Sequence, residues 1–421
     1  MESLEKWFHE WVTMIKSFNR NLRLFMLANF LIQIGMGMFA VMYNLYIKEL
    51  GLSETVTGSV ISIHALALVF MLVPAGLLSD RLGRKNVMLF GTAITAIMLV
   101  ARSVVTIEQP MLILAFITGI VWAFVQVSGV PFLAENSLPT ERMHLFSVHF
   151  SLVTVANVVG SLLGGIVADL FQIGGFDAVL SIRYSLFAGG LIFLIGILPL
   201  FKITNKVKVT VDKVMSKDKP KKDQSVLRRN LKMILLFSLA NLLIGTGSGL
   251  VIPYLNLYFS NRFDASNTYI GLILALGSAM TAVAMLIGPI LVKRVGKVRA
   301  LVIFQFASIP FLFLTAFTSS LLLASLGFLM RQALMNAGNP ITSAIAMDIV
   351  DDRYKGFANS VNQMVFNLGW ATMGIPAAML VTTFGSYWGY VYTFSITGVI
   401  YLIASTYFYF MFGRKYKERT D

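Results

Sequence analysis

The sequence contains no cysteine. That excludes disulfides, thiolate metal sites and a cysteine nucleophile, and leaves the redox character of the compartment open. Charge is scarce too: 13% of the 421 residues are Asp, Glu, Lys or Arg, against 57% hydrophobic. Such a composition excludes an ordinary soluble domain. No carboxylate falls near the middle of any long apolar run. No phosphate-cradling glycine-rich loop is present, so ATP is not expected to be the direct energy source. Neither a cluster of metal ligands nor a nucleophile paired with a base is visible, so no metal, no cofactor and no enzymatic activity are expected. The N-terminus lacks the short apolar core and small-residue cleavage site of a signal peptide.

What the chain has instead is a series of apolar runs, each long enough to cross a bilayer, for which about 20 residues suffice. Spanning helices are predicted over 24–47, 56–78, 86–106, 110–134, 145–170 and 184–201, then over 231–259, 268–292, 299–318, 320–349, 357–380 and 388–411. Before them, Leu4, Trp7, Phe8, Trp11, Ile15 and Phe18 recur at helical spacing among charged residues, which predicts an interfacial amphipathic helix within 1–23. Between the two sets, residues 202–230 hold ten Lys and Arg against three Asp and read as a solvated linker. The expected organisation is therefore a six-helix bundle over 24–201, the linker, a second bundle over 231–411 and a basic tail over 412–421.

The net charge of +14 is confined to the loops, which is not how a nucleic-acid-binding protein distributes it. With both termini inside, the inner segments carry 29 basic residues and the outer ones four: Lys48, Arg102, Arg183 and Arg262. That asymmetry predicts cytoplasmic termini in a plasma-membrane protein, in contact with the lipid bilayer along its length.

The halves repeat each other. At an offset of 212, ten of the twenty positions from Leu27 to Tyr46 are identical, including Asn29 with Asn241, Gly35 with Gly247 and Asn44 with Asn256. At 213, Gly58 meets Gly271, Arg81 meets Arg294 and Gly83 meets Gly296. Chance apolar similarity would not keep Asn and Gly in step, and parallel repeats with a site between them are a transporter architecture.

Between helices 2 and 3 stands Gly76-Leu77-Leu78-Ser79-Asp80-Arg81-Leu82-Gly83-Arg84-Lys85, read as a short charged loop. Its pattern Gly-x-x-x-Asp-Arg-x-Gly-Arg-Lys resembles the signature loop of the major facilitator superfamily. The resemblance implies an all-α membrane protein of twelve helices in two pseudo-symmetric bundles. It implies a carrier of a small molecule, coupled to protons or another ion and working as a monomer. It also implies that Gly76, Asp80, Arg81, Gly83 and Arg84 form a lock, with Asp80 held at the start of helix 11 when the protein opens outward. Glu135 is placed to pair with Arg81 or Arg84, and Asp348 with Lys293 or Arg294. Gly160-Ser161-Leu162-Leu163-Gly164-Gly165 in helix 5 is similar to the Gly-Pro-x-x-Gly-Gly pattern of antiporting exporters, with Ser161 in place of the Pro; such small residues also serve plain packing.

Amides supply the candidate cavity, because polar groups in hydrocarbon must find the interior or water. Asn29, Gln33 and Asn44 share a face of helix 1, and Asn241 and Asn256 one of helix 7, where Pro253 is free to break the helix. Helix 10 offers Gln332, Asn336, Asn339 and Ser343, and helix 11 Asn359, Gln363, Asn367 and Trp370. Trp122 and Gln126 of helix 4 complete the set. Arg331 lies ~16 Å deep, at 1.5 Å per residue, and cannot plausibly lose its proton. It is expected to face the cavity and recognise an acceptor, with a structural hydrogen-bond hub as the competing role. His64, Glu135 and Asp348 are the candidates for carrying a proton. The expected function is proton-coupled export of an amphipathic or drug-like compound by alternating access. Uptake of an anionic nutrient, which Arg331 would suit, is the alternative; an intramembrane enzyme or scaffold is a further one.

Overall fold

The computed structural model describes residues 18–137, 142–204, 224–351 and 355–417. Residues 1–17 of the predicted amphipathic segment, most of the linker and the last residues of the tail lie outside them; residues 20–23 of that segment open the first spanning helix. The first six helices are α1 (Arg20–Glu49), α2 (Glu54–Leu82), α3 (Arg84–Val104), α4 (Glu108–Glu135), α5 (Arg142–Ile173) and α6 (Ala178–Ile195, continued by Ile197–Phe201). The second six begin with α7, which runs Gln224–Val251, tightens through Ile252–Tyr254 and resumes over Leu255–Phe263. They continue with α8 (Asn267–Val295), α9 (Lys297–Phe317) and α10 (Leu321–Ala337, then Asn339–Asp348). The run Lys355–Lys417 is two helices, α11 (355–384) and α12 (386–417), divided at Gly385, whose φ of 75° only glycine adopts freely.

Helices satisfy their own backbone, which is what a hydrocarbon solvent demands. The ends are closed by side chains: Asn19 accepts the Leu22 N–H at 2.9 Å and Asp177 the Leu180 N–H at 2.7 Å. Large apolar side chains point outward, such as Phe70 at 74% exposure, as expected of a lipid-facing surface.

The signature segment is not a loop. Helix α2 continues through Gly76 to Leu82, and the turn into α3 is Gly83 alone, at φ 89°. The second half does the same at Gly296, φ 82°. A turn this short needs a residue without a Cβ, which is what the two glycines supply. In α7, Pro253 breaks the helix as its missing N–H requires.

With twelve spans, both described chain ends fall on one face, here the terminal face; the opposite one is the far face. Helices α3, α6 and α9 pack within their own half, whereas α2 packs on α11 and α5 on α8 across the halves. A Cβ on Gly58 would lie 2.5 Å from the Gly374 carbonyl oxygen, and one on Gly271 would overlap that of Ser161. These two contacts are the same contact: Gly271 is Gly58 displaced by 213 positions, and Gly374 is Ser161 displaced by 213.

Candidate functional site

The hydrogen bonds that join the halves, among the described residues, all lie toward the far face. At their centre α1 crosses α7. The Asn44 side-chain amide donates to the Pro253 carbonyl at 2.6 Å, and the Asn256 amide donates to the Val41 carbonyl at 2.6 Å. Asn44 also donates to Asn256 Oδ1 at 3.2 Å. Asn256 and Pro253 are Asn44 and Val41 displaced by 212, so each half grips the other identically. Both amides are buried. Leaving one such group unpaired costs about 1–3 kcal/mol. The Pro253 break bends α7 where it is gripped.

Around this crossing lie less symmetric contacts. Lys48 donates to Ser260 at 2.6 Å, and Asn261 donates to the Glu54 carboxylate. Asp169, at the end of α5, accepts the Thr268 N–H at 2.8 Å and the Asn267 amide at 2.9 Å. It thus sits at the N-terminus of α8, where the helix dipole favours a carboxylate. Sequence reasoning missed Lys48, Glu54, Asp169, Ser260 and Asn261 as a set, because they lie at helix ends and no spacing ties them together. The small-residue run of α5 belongs here as well: Cβ atoms on Gly160 and Gly165 would collide with α1 and with the Asn267 backbone. Its glycines serve close packing, partly across the halves.

Asn44 and Asn256 are therefore not cavity wall, as expected from the sequence, but the clasp that shuts the far side. Their positions on the polar stripe were legible; that the helices cross there was not.

The other amides divide by environment. Asn29, Gln33 and Asn241 are half-buried, Gln126 is exposed, and none bonds to another described residue. Asn29 and Gln126 lie nine residues from the terminal-face ends of α1 and α4, ~14 Å at 1.5 Å per residue. Exposed amides at that depth need water. Two further amides are tied down. Asn336 donates to the Gln332 carbonyl at 3.0 Å and Asn367 to the Gln363 carbonyl at 2.8 Å. Trp370 donates to Ser248 at 2.7 Å, and Trp122 packs its ring 6.2 Å from that of Phe193.

Arg331 departs from expectation. It is 1% exposed, so it does not line a cavity in this state. Its guanidinium donates to Gln332 Oε1 at 2.7 Å and meets the buried hydroxyl of Tyr401 on α12, whose ring covers Gly247 of α7. Its partners are oxygens of its own half, although its Nε is buried without an acceptor, so it is a hydrogen-bond hub of the second bundle.

On the terminal face, Arg84 Nε donates to Glu135 at 3.1 Å and Lys297 to Asp348 at 2.6 Å. The pairs are related by the 213 offset, and each ties the start of one helix to the end of the next helix of its own half. Lys297, not Lys293 or Arg294, is the partner of Asp348, because α8 carries those two residues on its last turn and Lys297 opens α9. Arg81 is exposed, and a Cβ on Gly76 would touch nothing within 4 Å. Gly76 therefore makes no close helix contact while the far face is clasped. The side chain of Asp80 lies outside the described set. His64 is half-buried, with Nδ1 3.3 Å from the Ala115 carbonyl of α4.

The chain was compared with known proteins. The Major Facilitator Superfamily profile matches residues 25–246 and 237–421. An uncharacterised MFS-type transporter of Methanocaldococcus jannaschii, MJ1560, is 24% identical over 370 residues, 86% of this chain and 92% of its own. The multidrug resistance protein MdtG of Proteus mirabilis is 28% identical over 153 residues, 35% of this chain and 37% of its own. Among solved structures, a bacterial homologue of the human lysosomal transporter Spinster superposes with a TM-score of 0.76 at 16% identity, covering 92% of this chain and 95% of its own. A D-xylose–proton symporter does so with 0.73 at 15% identity, covering 93% and 97%.

Proposed function

Since the chain belongs to the major facilitator superfamily, we propose that it is a secondary transporter that exports an amphipathic, drug-like small molecule in exchange for protons. The observation that carries the transport reading is the pairing of a clasped far face with unbonded amides, Asn29, Gln33, Gln126 and Asn241, deep on the terminal side. The clasp holds one end of a path shut while water and solute reach the amides from the other. Opening the clasp and closing the terminal face would complete alternating access, with Asp80, Arg81 and Arg84 engaging α11 in the second state.

In this reading 24–201 and 231–411 move as units, 202–230 joins them, and the carrier works as a monomer in the plasma membrane. The ratio of 29 to four basic residues supports a cytoplasmic terminal face. The stretch shared with MdtG supports export. Uptake of an anionic nutrient loses the residue it rested on, because Arg331 is sealed within the second half. His64, partly exposed and without a carboxylate partner, is the first candidate for the proton, ahead of Glu135 and Asp348, which are engaged in ion pairs.

The test uses purified protein in proteoliposomes with an imposed pH gradient and a panel of amphipathic dyes. At least one dye should move against its gradient, and a protonophore should abolish the movement. Dye movement indifferent to the protonophore overturns the proton coupling; no movement of any dye overturns the cargo class.

A further inference from the structure

Three far-face arginines lie near helix ends, each in contact with its own half, and two of them are hydrogen-bonded. Arg183 donates to the Tyr46 hydroxyl at 3.1 Å. Arg262 donates to the carbonyls of Ala316 and Thr318 at 2.6 and 2.7 Å, although its Nε, like that of Arg102, is buried without an acceptor. The third, Arg102, is not. It keeps 6% of its surface, its Nε is covered and without an acceptor, and its described contacts are aromatic faces. The guanidinium carbon lies 4.0 Å above the Tyr43 ring and 4.9 Å from that of Phe39. Among the described residues no carboxylate is within salt-bridge distance of it.

The direction of this side chain is informative. Arg102 occupies the last turn of α3, one turn from the far face, where a long basic side chain would ordinarily reach up to water. Helical side chains lean toward the N-terminus of their helix, and this one follows that lean down into the bundle. Phe39 and Tyr43 lie ten and six residues below the end of α1, and His64, within electrostatic reach, lies ten residues below the start of α2. A ring face accepts a cation but no N–H bond in the guanidinium plane, so the five donors of that plane remain to be used. The Tyr43 hydroxyl beside it is also buried without a partner. The repeat does not require any of this. The counterparts of Phe39, Tyr43, His64 and Arg102 in the second half are Val251, Leu255, Gly277 and Thr315.

We infer that Arg102, stacked on Tyr43, binds an oxyanion of the transported molecule, so that the cargo is an amphipathic acid bearing a carboxylate, sulfonate or phosphate. The planar fork takes two oxygens at once, and the Tyr43 hydroxyl offers a third donor. This inference rests on the amphipathic cargo proposed above and narrows it.

The test measures binding of dansylglycine and of its methyl ester to the purified full chain, by energy transfer from tryptophan. The pair differs in one charge and little else. The wild type should bind the acid at least about tenfold more tightly than the ester, as expected for a charge-assisted bidentate contact. Arg102→Gln should abolish the difference by weakening binding of the acid to the level of the ester, with an unchanged size-exclusion profile reporting that the variant is folded. Arg102→Lys should keep part of the difference, and Tyr43→Phe should reduce it about threefold, the loss of one hydrogen bond. Equal binding of acid and ester by the wild type overturns the inference and leaves the amphipathic cargo standing; binding of neither overturns both. An acid preference that survives Arg102→Gln overturns it as well. Should Arg102→Gln fail to fold, an unchanged preference in Tyr43→Phe has the same force.

Discussion

The two halves agree in their backbone devices and disagree in their buried charges. Gly83 and Gly296 make the same turn, Arg84–Glu135 and Lys297–Asp348 the same ion pair, and Asn44 and Asn256 the same grip. The buried arginines follow no such rule. Arg102 stands where the second half has Thr315, and Arg331 where the first half has Trp122. Arg331 is enclosed by oxygens of its own bundle, whereas Arg102 meets only rings. What is repeated concerns how the halves move and hold; what is not repeated concerns what each contains. The comparison separates a mechanical role from a chemical one without reference to any ligand.

The most severe way to break the symmetric part is to fill its closest approach. Gly58→Leu places a side chain against the Gly374 carbonyl and should disfavour the clasped state by about 1–3 kcal/mol or more, the cost of overpacking. Gly271→Leu should act alike, since it strikes the equivalent carbonyl. Because the native chain has no cysteine, a single cysteine at Gln33 reports access directly. Its labelling by an impermeant maleimide from the far side should rise at least several-fold in both variants. A rise in one and not the other would show that the two interfaces are unequal.

Next in size is the asparagine pair. Asn44→Ala and Asn256→Ala should each cost the clasped state about 1–3 kcal/mol, by leaving a carbonyl of the other half without its side-chain donor. The double variant should cost less than the sum of the two, because the residues share one network. The same labelling assay measures all three. Additive losses would mean that the grips act separately.

Arg331 sharpens the other side of the comparison. Arg331→Gln should lower the thermal stability of the purified protein by about 1–3 kcal/mol, because the Tyr401 hydroxyl loses its partner. Arg331→Met with Tyr401→Phe should recover much of that loss, since replacing both members of a buried polar pair by apolar groups is often nearly neutral. Neither change should alter the affinity for dansylglycine. A loss of binding in Arg331→Gln at unchanged stability would return this residue to the cavity.

The smallest effects are expected on the terminal face. Glu135→Gln and Asp348→Asn remove carboxylates that are more than a third exposed, and each should change stability by less than about 1 kcal/mol. Matching small shifts in thermal unfolding would keep the pairs equivalent; a transport defect in one alone would make it the proton carrier.

Much of this architecture could be read without coordinates. Spans follow from hydropathy, and the halves follow from Asn and Gly in step. Positive residues crowd the loops of one side because of the same solvent constraint. The stripe containing Asn44 and Asn256 was visible, but its function depends on α1 crossing α7, a tertiary fact that no helical spacing encodes. Arg331 was found by its depth and misplaced by its surroundings: a sequence gives how deep a charge lies along a helix, not which way the helix is turned. Arg102 escaped notice for the opposite reason. Close to a helix end, it read as a loop charge, and only the downward course of its side chain shows otherwise.

The exchange between Asn44 and Asn256 has a consequence for origin. A contact in which one residue meets a second, and the second's equivalent meets the first, is the isologous contact of a two-fold dimer. Two identical six-helix chains could form it with no divergence between them. The Asp169 cap and the Arg102 stack are not repeated, since Thr382 and Thr315 occupy the equivalent positions. The contact that joins the halves thus needs no difference between them, whereas these two features exist in one half only.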